Sequence, residues 1–205
     1  MTSLPLKIVG VGRYLPRRVV PNSEVETLAS LPAGWIERKT GVSERRWVEN
    51  ETASFMAAEA AREALEDARL EPSDLDLILN ASGTQEQAIP DGAPLIQRHL
   101  GLGDSGIACM SLHATCLSFL VALDTASTLL ATDRYNRILI VSSEISSVGL
   151  NFKEPETSTL FGDAAAAAIV TKTPDGEASC MHCARLETYG EGAYLSEVRG
   201  CGTRR

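Results

Sequence analysis

Hydrophobic positions fall into short apolar runs and helical stripes that alternate along most of the chain. Leu6 to Val11 is an apolar run closed by Gly12 and predicts a strand. The stretch that follows holds Pro16, Pro21, Pro32 and Gly34, and runs on to Trp35 and Gly41. It is long for a structureless loop, so a small helix and some function are expected in it. From Thr52 the period becomes helical: Met56, Ala57, Ala60, Ala61, Ala64, Leu65 and Ala68 share one face, while Glu59, Arg62, Glu63 and Glu66 share the other. Pro72 ends that helix, and Leu75 to Leu79 reads as a buried strand. Asp91 to Leu100, stopped by Gly101, predicts a second helix, and Ile107 to Leu112 another strand.

Leu117 to Ala131 is apolar nearly all round, which predicts a central helix buried on most sides. Ile138 to Val141 is β-branched and strand-like. Ala164 to Thr171 is ambiguous, because its alanines favour helix and Ile169, Val170 and Thr171 favour strand. No linker, low-complexity tract or repeat divides the chain. Alternating strands and helices predict an α/β fold with a mainly parallel sheet covered by helices on both faces.

Composition narrows the partners. The 205 residues are 44% hydrophobic and 22% charged, a globular balance. The net charge of −8 comes from 19 Lys and Arg against 27 Asp and Glu, and no basic block interleaved with aromatics offsets it, so nucleic acid is not expected as a partner. The first residues lack a leader-type cleavage site and no run approaches the ~20 apolar residues of a membrane span. A cytoplasmic protein with no membrane partner is the expectation. Five cysteines at 109, 116, 180, 183 and 201 are an odd, scattered set, and reduced thiols are expected.

Cys116 stands where Ser111 to Thr115 leaves a strand and the apolar helix begins. Free N–H groups and the positive end of a helix there would favour a thiolate, although a small buried hydrophobe is the plainer reading of a free cysteine. His113 is three residues away, but its direction on a strand entering a helix is open. Cys180-Met181-His182-Cys183 is a lone Cys-x-x-Cys whose thiols would point to opposite faces of a strand, so no metal site is assigned. Gly10-x-Gly12 starts like a dinucleotide fingerprint, but Tyr14, Leu15 and Pro16 fill the turn that the phosphate needs.

Three segments then carry a resemblance. Trp35-Ile36-Glu37-Arg38-Lys39-Thr40-Gly41-Val42 with Glu44-Arg45-Arg46, Ala114-Thr115-Cys116-Leu117-Ser118-Phe119, and Phe161-Gly162-Asp163-Ala164-Ala165-Ala166-Ala167 occur in order. They resemble the Trp-Arg-Thr-Gly segment, the Ala-Ala-Cys-x-Gly-Phe nucleophile motif and the Phe-Gly-Asp-Gly-Ala-Gly-Ala motif of the β-ketoacyl-acyl carrier protein synthase III family. Asn22, Leu15-Pro16 and Ser143-Glu144 also stand in family-like places.

The resemblance implies a thiolase-like fold of two similar halves, working as a homodimer. Residues 1–175 would form the N-terminal half, and 176–205 a strand and connection toward a missing C-terminal half. It implies that Cys116 takes an acyl group from acyl-CoA or an acylated carrier protein, with its N–H helping to hold the oxyanion. The acyl group would then be condensed with a decarboxylating malonyl thioester. A His and an Asn for decarboxylation would come from the other half. No cofactor is implied beyond the thioester substrates.

Trp35 would stack on the adenine of CoA, with Arg38 and Lys39 beside the phosphates; a Trp anchoring its loop on the core is the alternative. Ile89 would cross the dimer into the partner's acyl pocket, or else make a simple core contact. Ser118 stands for the family's glycine, Ser111 for its aspartate and Lys39 for its arginine, and no arginine occurs in Glu154 to Thr157. These departures leave CoA and carrier protein open as donors. Transfer to a non-malonyl acceptor and a non-catalytic half-subunit are the rival readings.

Overall fold

The computed structural model describes residues 3–195 and 197, so Cys201 and the last part of the expected strand and connection, 176–205, lie outside the described residues. The elements in order are β1 (Leu4–Pro5), β2 (Lys7–Tyr14), β3 (Arg18–Pro21), α1 (Asn22–Leu28), α2 (Trp35–Thr40), β4 (Glu44–Trp47), α3 (Ala53–Ala68) and β5 (Leu77–Asn80). They continue with α4 (Gly92–His99), β6 (Ala108–Ser111), α5 (Ser118–Ala131), β7 (Arg137–Glu144), α6 (Pro155–Ser158), β8 (Ala164–Thr171) and β9 (Cys180–Met181).

The central sheet has five strands in the order β2-β8-β7-β5-β6. β5 runs parallel to both β6 and β7, whereas β7 and β8, and β8 and β2, are antiparallel. The sheet is therefore mixed and not mainly parallel. The expectation fails after β7, where the chain reaches β8 through a 3-10 turn (Ser147–Gly149) and the short α6. Without a long crossover helix to carry the chain back, the next strand can only run the other way. The ambiguous Ala164–Thr171 is a strand because pairing on both sides satisfies its backbone.

Adjacent residues of the sheet serve different cores, as the strand period requires. Ile78, Leu139, Val141, Ala165, Ala167 and Ile169 pack with α3 and α4. Leu77, Leu79, Ile138, Ile140 and Val170 pack with Ala122, Ala126 and Leu130 of α5. The α3 face is built from small residues that let backbones approach. A Cβ on Gly10 would stand 2.2 Å from the Ala64 carbonyl oxygen, and one on Gly12 2.2 Å from that of Ala60. This close packing, not phosphate binding, accounts for the Gly10-x-Gly12 pattern.

β2 is also an edge strand, and α3 covers it. The Val11 N–H donates to Asp67 Oδ2 at 2.9 Å and the Arg13 N–H to Glu63 Oε2 at 2.7 Å. At the start of α3, Thr52 accepts from the Phe55 N–H through its side chain, as an N-cap does.

α5 is buried along one stripe only, at Ser118, Ala122, Ala126, Ser127 and Leu130. Leu117 and Leu120 are 50% and 54% exposed. The helix is thus less buried than its composition predicts, because the sheet and β1 cover one stripe of it and leave Leu117 and Leu120 outside that contact. On the α5 side of the sheet, β2 and the Ala166 end of β8 are also uncovered: Ile8, Val11 and Ala166 are exposed.

The turn-rich N-terminal stretch folds as a small unit. β3 and β4 pair antiparallel, and Val20, Val25, Ile36 and Trp47 form its core. β9 returns to the start of the chain, where Leu4 pairs with Met181 and Pro5 with Cys180.

Candidate active site

The parallel strands β5, β6 and β7 end side by side, and their C-terminal loops gather the candidate chemistry. Such strand ends are where open α/β sheets place ligands. β6 leads through Leu112, His113 and Ala114 into a 3-10 turn, Thr115–Leu117, and then into α5. Cys116 is the middle residue of that turn and is exposed. Thr115 has φ of 50°, a left-handed conformation that non-glycine residues seldom adopt. The turn thus presents Cys116 two residues ahead of the first residue of α5.

Hydrogen bonds hold this turn on one side, and a close-packed loop lies on the other. On the α5 side, Ser118 Oγ accepts from the Ala114 N–H at 3.0 Å and donates to the Thr115 carbonyl at 2.7 Å. On the other side lies the loop after β5. The position a Cβ of Gly83 would take is 3.4 Å from the Thr115 carbonyl oxygen. Glu144, at the end of β7, fixes this loop: its carboxylate accepts from the N–H of Gly83 at 2.5 Å and from the N–H and hydroxyl of Thr84, both at 2.7 Å. Charged acceptors make such bonds roughly twice as strong as neutral ones.

His113 contributes to the same contact, with Nδ1 3.3 Å from the Ser82 carbonyl oxygen. Beneath the loop is a buried polar chain. Asn80 donates through Nδ2 to Ser111 Oγ at 3.1 Å and accepts from Ser82 Oγ at 2.6 Å, and Ser82 Oγ accepts from the Ser143 N–H at 3.0 Å. Ser111, where the resembled family has an aspartate, is therefore a neutral partner of Asn80.

The Phe161-Gly162-Asp163 segment is anchored by its acid. Asp163 is buried, and its carboxylate accepts from the N–H groups of Val48 and Ser147, both at 2.9 Å, and from the Ser147 hydroxyl at 2.6 Å. Gly162 fits against β4 where a Cβ would stand 3.0 Å from Arg45 Cβ. Arg45, also buried, donates through Nη2 to Asn22 Oδ1 at 2.9 Å and to the Thr159 carbonyl at 3.1 Å. Phe161 is left half-exposed.

The other sequence candidates sit apart from this turn in the chain. Trp35 opens α2, packs partly on the small core of Val20, Val25, Ile36 and Trp47, and is half-buried. Arg38 and Lys39 follow on the same helix and are exposed; Arg38 Nη1 reaches the Ala33 carbonyl at 3.4 Å. Ile89 is 88% exposed on the loop between β5 and α4, so the core-contact alternative does not hold. The Ile89-Pro90 peptide is cis, and Gln87 Nε2 donates to the Ile89 and Pro90 carbonyls.

The remaining thiols differ in surroundings. Burial, with the Asp91 carboxylate adding to it, pushes the Cys109 thiol above its ordinary value. Cys180 is half-buried on β9 with Sγ 3.5 Å from His182 Nδ1, and Cys183 is exposed. Among the described residues no group of three or more His, Cys, Asp or Glu could hold a metal ion. Nor is any helix among them long and apolar enough to cross a membrane.

Sequence reasoning placed Cys116 but gave no role to Glu144 or to the Ser118 hydroxyl. Only the family-like place of Ser143-Glu144, just past the predicted strand Ile138 to Val141, hinted at the first. Nothing in the periodicity pointed to the second.

A mixed sheet between two helical layers, with a cysteine turn entering a central helix, defines a thiolase-like α/β fold. A family model for 3-oxoacyl-[acyl-carrier-protein] synthase III matches residues 110–190. The chain is 34% identical to the β-ketoacyl-[acyl-carrier-protein] synthase III of Aquifex aeolicus over 196 residues, 96% of this chain and 62% of that protein. The structure is similar to 3-oxoacyl-(acyl carrier protein) synthase III of Pseudomonas aeruginosa, with TM-score 0.83, 26% identity, and coverage of 91% of this chain and 56% of that one. It also resembles a priming β-ketosynthase of a polyketide pathway, with TM-score 0.75, 32% identity, and coverage of 83% and 51%. The chain belongs to the β-ketoacyl-acyl carrier protein synthase III family, of which it carries the N-terminal region. It spans between about half and three-fifths of the length of these relatives.

Proposed function

We propose that this chain is the nucleophile-bearing half of a condensing acyltransferase in fatty acid, polyketide or related lipid synthesis. The observation that carries the reading is the exposed Cys116 on a left-handed turn braced by Ser118 and by the Glu144-held loop. A nucleophile so placed reaches a substrate while its backbone stays fixed, which is what covalent catalysis requires. The Cys116 thiolate attacks the thioester carbonyl, the oxyanion is held in part by the Cys116 N–H, and the donor thiol departs, leaving acyl-Cys116. A carbanion released by loss of CO2 from a malonyl thioester then attacks that acyl group, forms the carbon–carbon bond and frees the cysteine. Thiol, thioester and decarboxylation supply the whole driving chemistry, so no cofactor is invoked.

The half-exposed Leu117 and Leu120, with Ile8, Val11 and Ala166 on the same side, support a complementary C-terminal half that covers this face and brings the His and Asn of decarboxylation. The half-buried Trp35 and the exposed Arg38 and Lys39 lie on one helix and suit adenine stacking and phosphate contact. Lysine offers a point charge where a bidentate fork would grip more firmly, so the donor is either acyl-CoA or an acylated carrier protein. The 88% exposure of Ile89 suits a side chain that is buried by a partner subunit of a homodimer. The working location is the cytoplasm, where thiols stay reduced.

The test is to incubate the full-length protein with acyl-CoA or acyl carrier protein, locate the acyl group by peptide mass, and then add a malonyl thioester. Acyl-Cys116 followed by a 3-oxoacyl product is expected, and Cys116→Ala should abolish both. Acylation at another residue, or none with either donor, overturns the reading. Release of acyl-Cys116 only by a non-malonyl acceptor would favour the rival transferase.

A further inference from the structure

Thr115 and Ser118 are the two positions where the nucleophile segment departs from Ala-Ala-Cys-x-Gly-Phe, and the structure joins them. Thr115 is β-branched and left-handed, with φ of 50°. A β-branched residue is among the least suited to that conformation. Ser118 is 2% exposed, and both functions of its hydroxyl are used on this turn: it accepts from the Ala114 N–H at 3.0 Å and donates to the Thr115 carbonyl at 2.7 Å. The Ser118 N–H donates to the same carbonyl. That carbonyl belongs to the peptide plane whose other end is the N–H of Cys116, and a peptide plane is rigid. Whatever fixes the Thr115 oxygen therefore fixes the direction of the Cys116 N–H.

We propose that Ser118 is a positioning residue: its hydroxyl orients the Thr115–Cys116 peptide so that the Cys116 N–H faces the acyl oxyanion, and it offsets the left-handed Thr115. The proposal rests on the reading that Cys116 is acylated. An oxyanion donor acts through its direction, because it stabilises charge only where that charge develops. A hydroxyl that holds the peptide from behind acts on that direction without touching the substrate. It should affect acyl transfer, which needs the N–H, more than alkylation, which needs only the thiol.

The experiment uses the full-length protein with Ser118→Ala, Thr115→Ala and both together. Three quantities are measured: the single-turnover rate of Cys116 acylation by acyl-CoA and by acyl carrier protein, the rate of Cys116 alkylation by iodoacetamide, and the thermal midpoint. Ser118→Ala is expected to slow acylation about ten-fold, well inside the range that small misplacements of a site produce. Alkylation should stay within about two-fold, since it needs no oxyanion donor. On the Thr115→Ala background the same change should cost about three-fold, as coupling between contacting residues requires.

Wild-type acylation by a folded Ser118→Ala protein overturns the proposal alone. Acylation and alkylation falling together, in proportion to the folded fraction, also overturn it, by showing a structural role only. Equal losses on both backgrounds overturn the link to Thr115. Should Ser118→Ala not fold, Ser118→Gly, the residue of the resembled motif, is measured in the same way. Absence of acyl-Cys116 in the wild-type protein, with normal alkylation, overturns the functional reading and this proposal with it.

Discussion

Glu144 holds Thr84 twice, accepting from its N–H and from its hydroxyl at 2.7 Å each, and so ties the loop after β5 to the end of β7. The Glu144→Gln variant keeps the shape but turns an amide N–H2 toward a backbone donor. Loss of one charged hydrogen bond should lower folding stability by about 2 kcal/mol. Acylation of Cys116 should slow while the KM for the thioester changes less, because the loop braces the turn and does not hold the donor's distal end. Urea unfolding and single-turnover acylation measure the two effects. Unchanged values for both would show that the loop is held by something else.

Gly12 should not tolerate a methyl group. The added Cβ would lie 2.2 Å from the Ala60 carbonyl oxygen, a backbone atom of α3 that cannot swing aside. Gly12→Ala should cost about 3 kcal/mol, at the upper end of overpacking effects. Gly101→Ala tests a different condition: open space surrounds a Cβ there, and the left-handed φ of 79° alone is strained. The denaturation midpoint of Gly12→Ala should fall further than that of Gly101→Ala.

Alkylation should separate the thiols by pH. Cys116 is exposed, whereas Cys109 is partly buried and its thiol is pushed up by that burial. A raised thiol value means less thiolate at a given pH, and the thiolate is the nucleophile. Near neutral pH, iodoacetamide should label Cys116 first, and Cys109 should join only as the pH passes the usual thiol range. Peptide mapping reads the order. First labelling at Cys109, Cys180, Cys183 or Cys201 would displace Cys116 as the nucleophile.

Trp35→Ala should raise the KM for acyl-CoA several-fold, on the order of the 0.5–1 kcal/mol or more that ring contacts with cationic and planar groups contribute. The rate of acyl transfer once bound should change little. An unaltered dependence on acyl-CoA, with a changed one on acyl carrier protein, would move the adenine site away from Trp35. Partial packing of Trp35 on the Ile36 core makes a midpoint measurement part of the same test.

The pattern of the sequence carried the helices and most strands, because burial on one face leaves a period in the residues. α3 shows this plainly, with its alanine stripe inside and Glu63 and Glu66 outside. Strand direction leaves no such trace. The antiparallel pairing of β7 with β8 depends on what lies between them, and Ala164–Thr171 reads equally as helix until a neighbour on each side is known. At the site, Cys116 was legible from its motif. Ser118 and Glu144 act through backbone N–H and carbonyl groups, which every residue has, so no side-chain pattern marks their partners.

The two edges of the central sheet are unequal. At β2 the outward N–H groups of Val11 and Arg13 are consumed by Asp67 and Glu63. At β6 no further strand is paired among the described residues. The β2 margin is thus closed by side chains at Val11 and Arg13. The same carboxylates that pin α3 to β2 therefore also keep that margin from templating a further strand, so one pair of side chains serves both packing and protection against edge-to-edge growth.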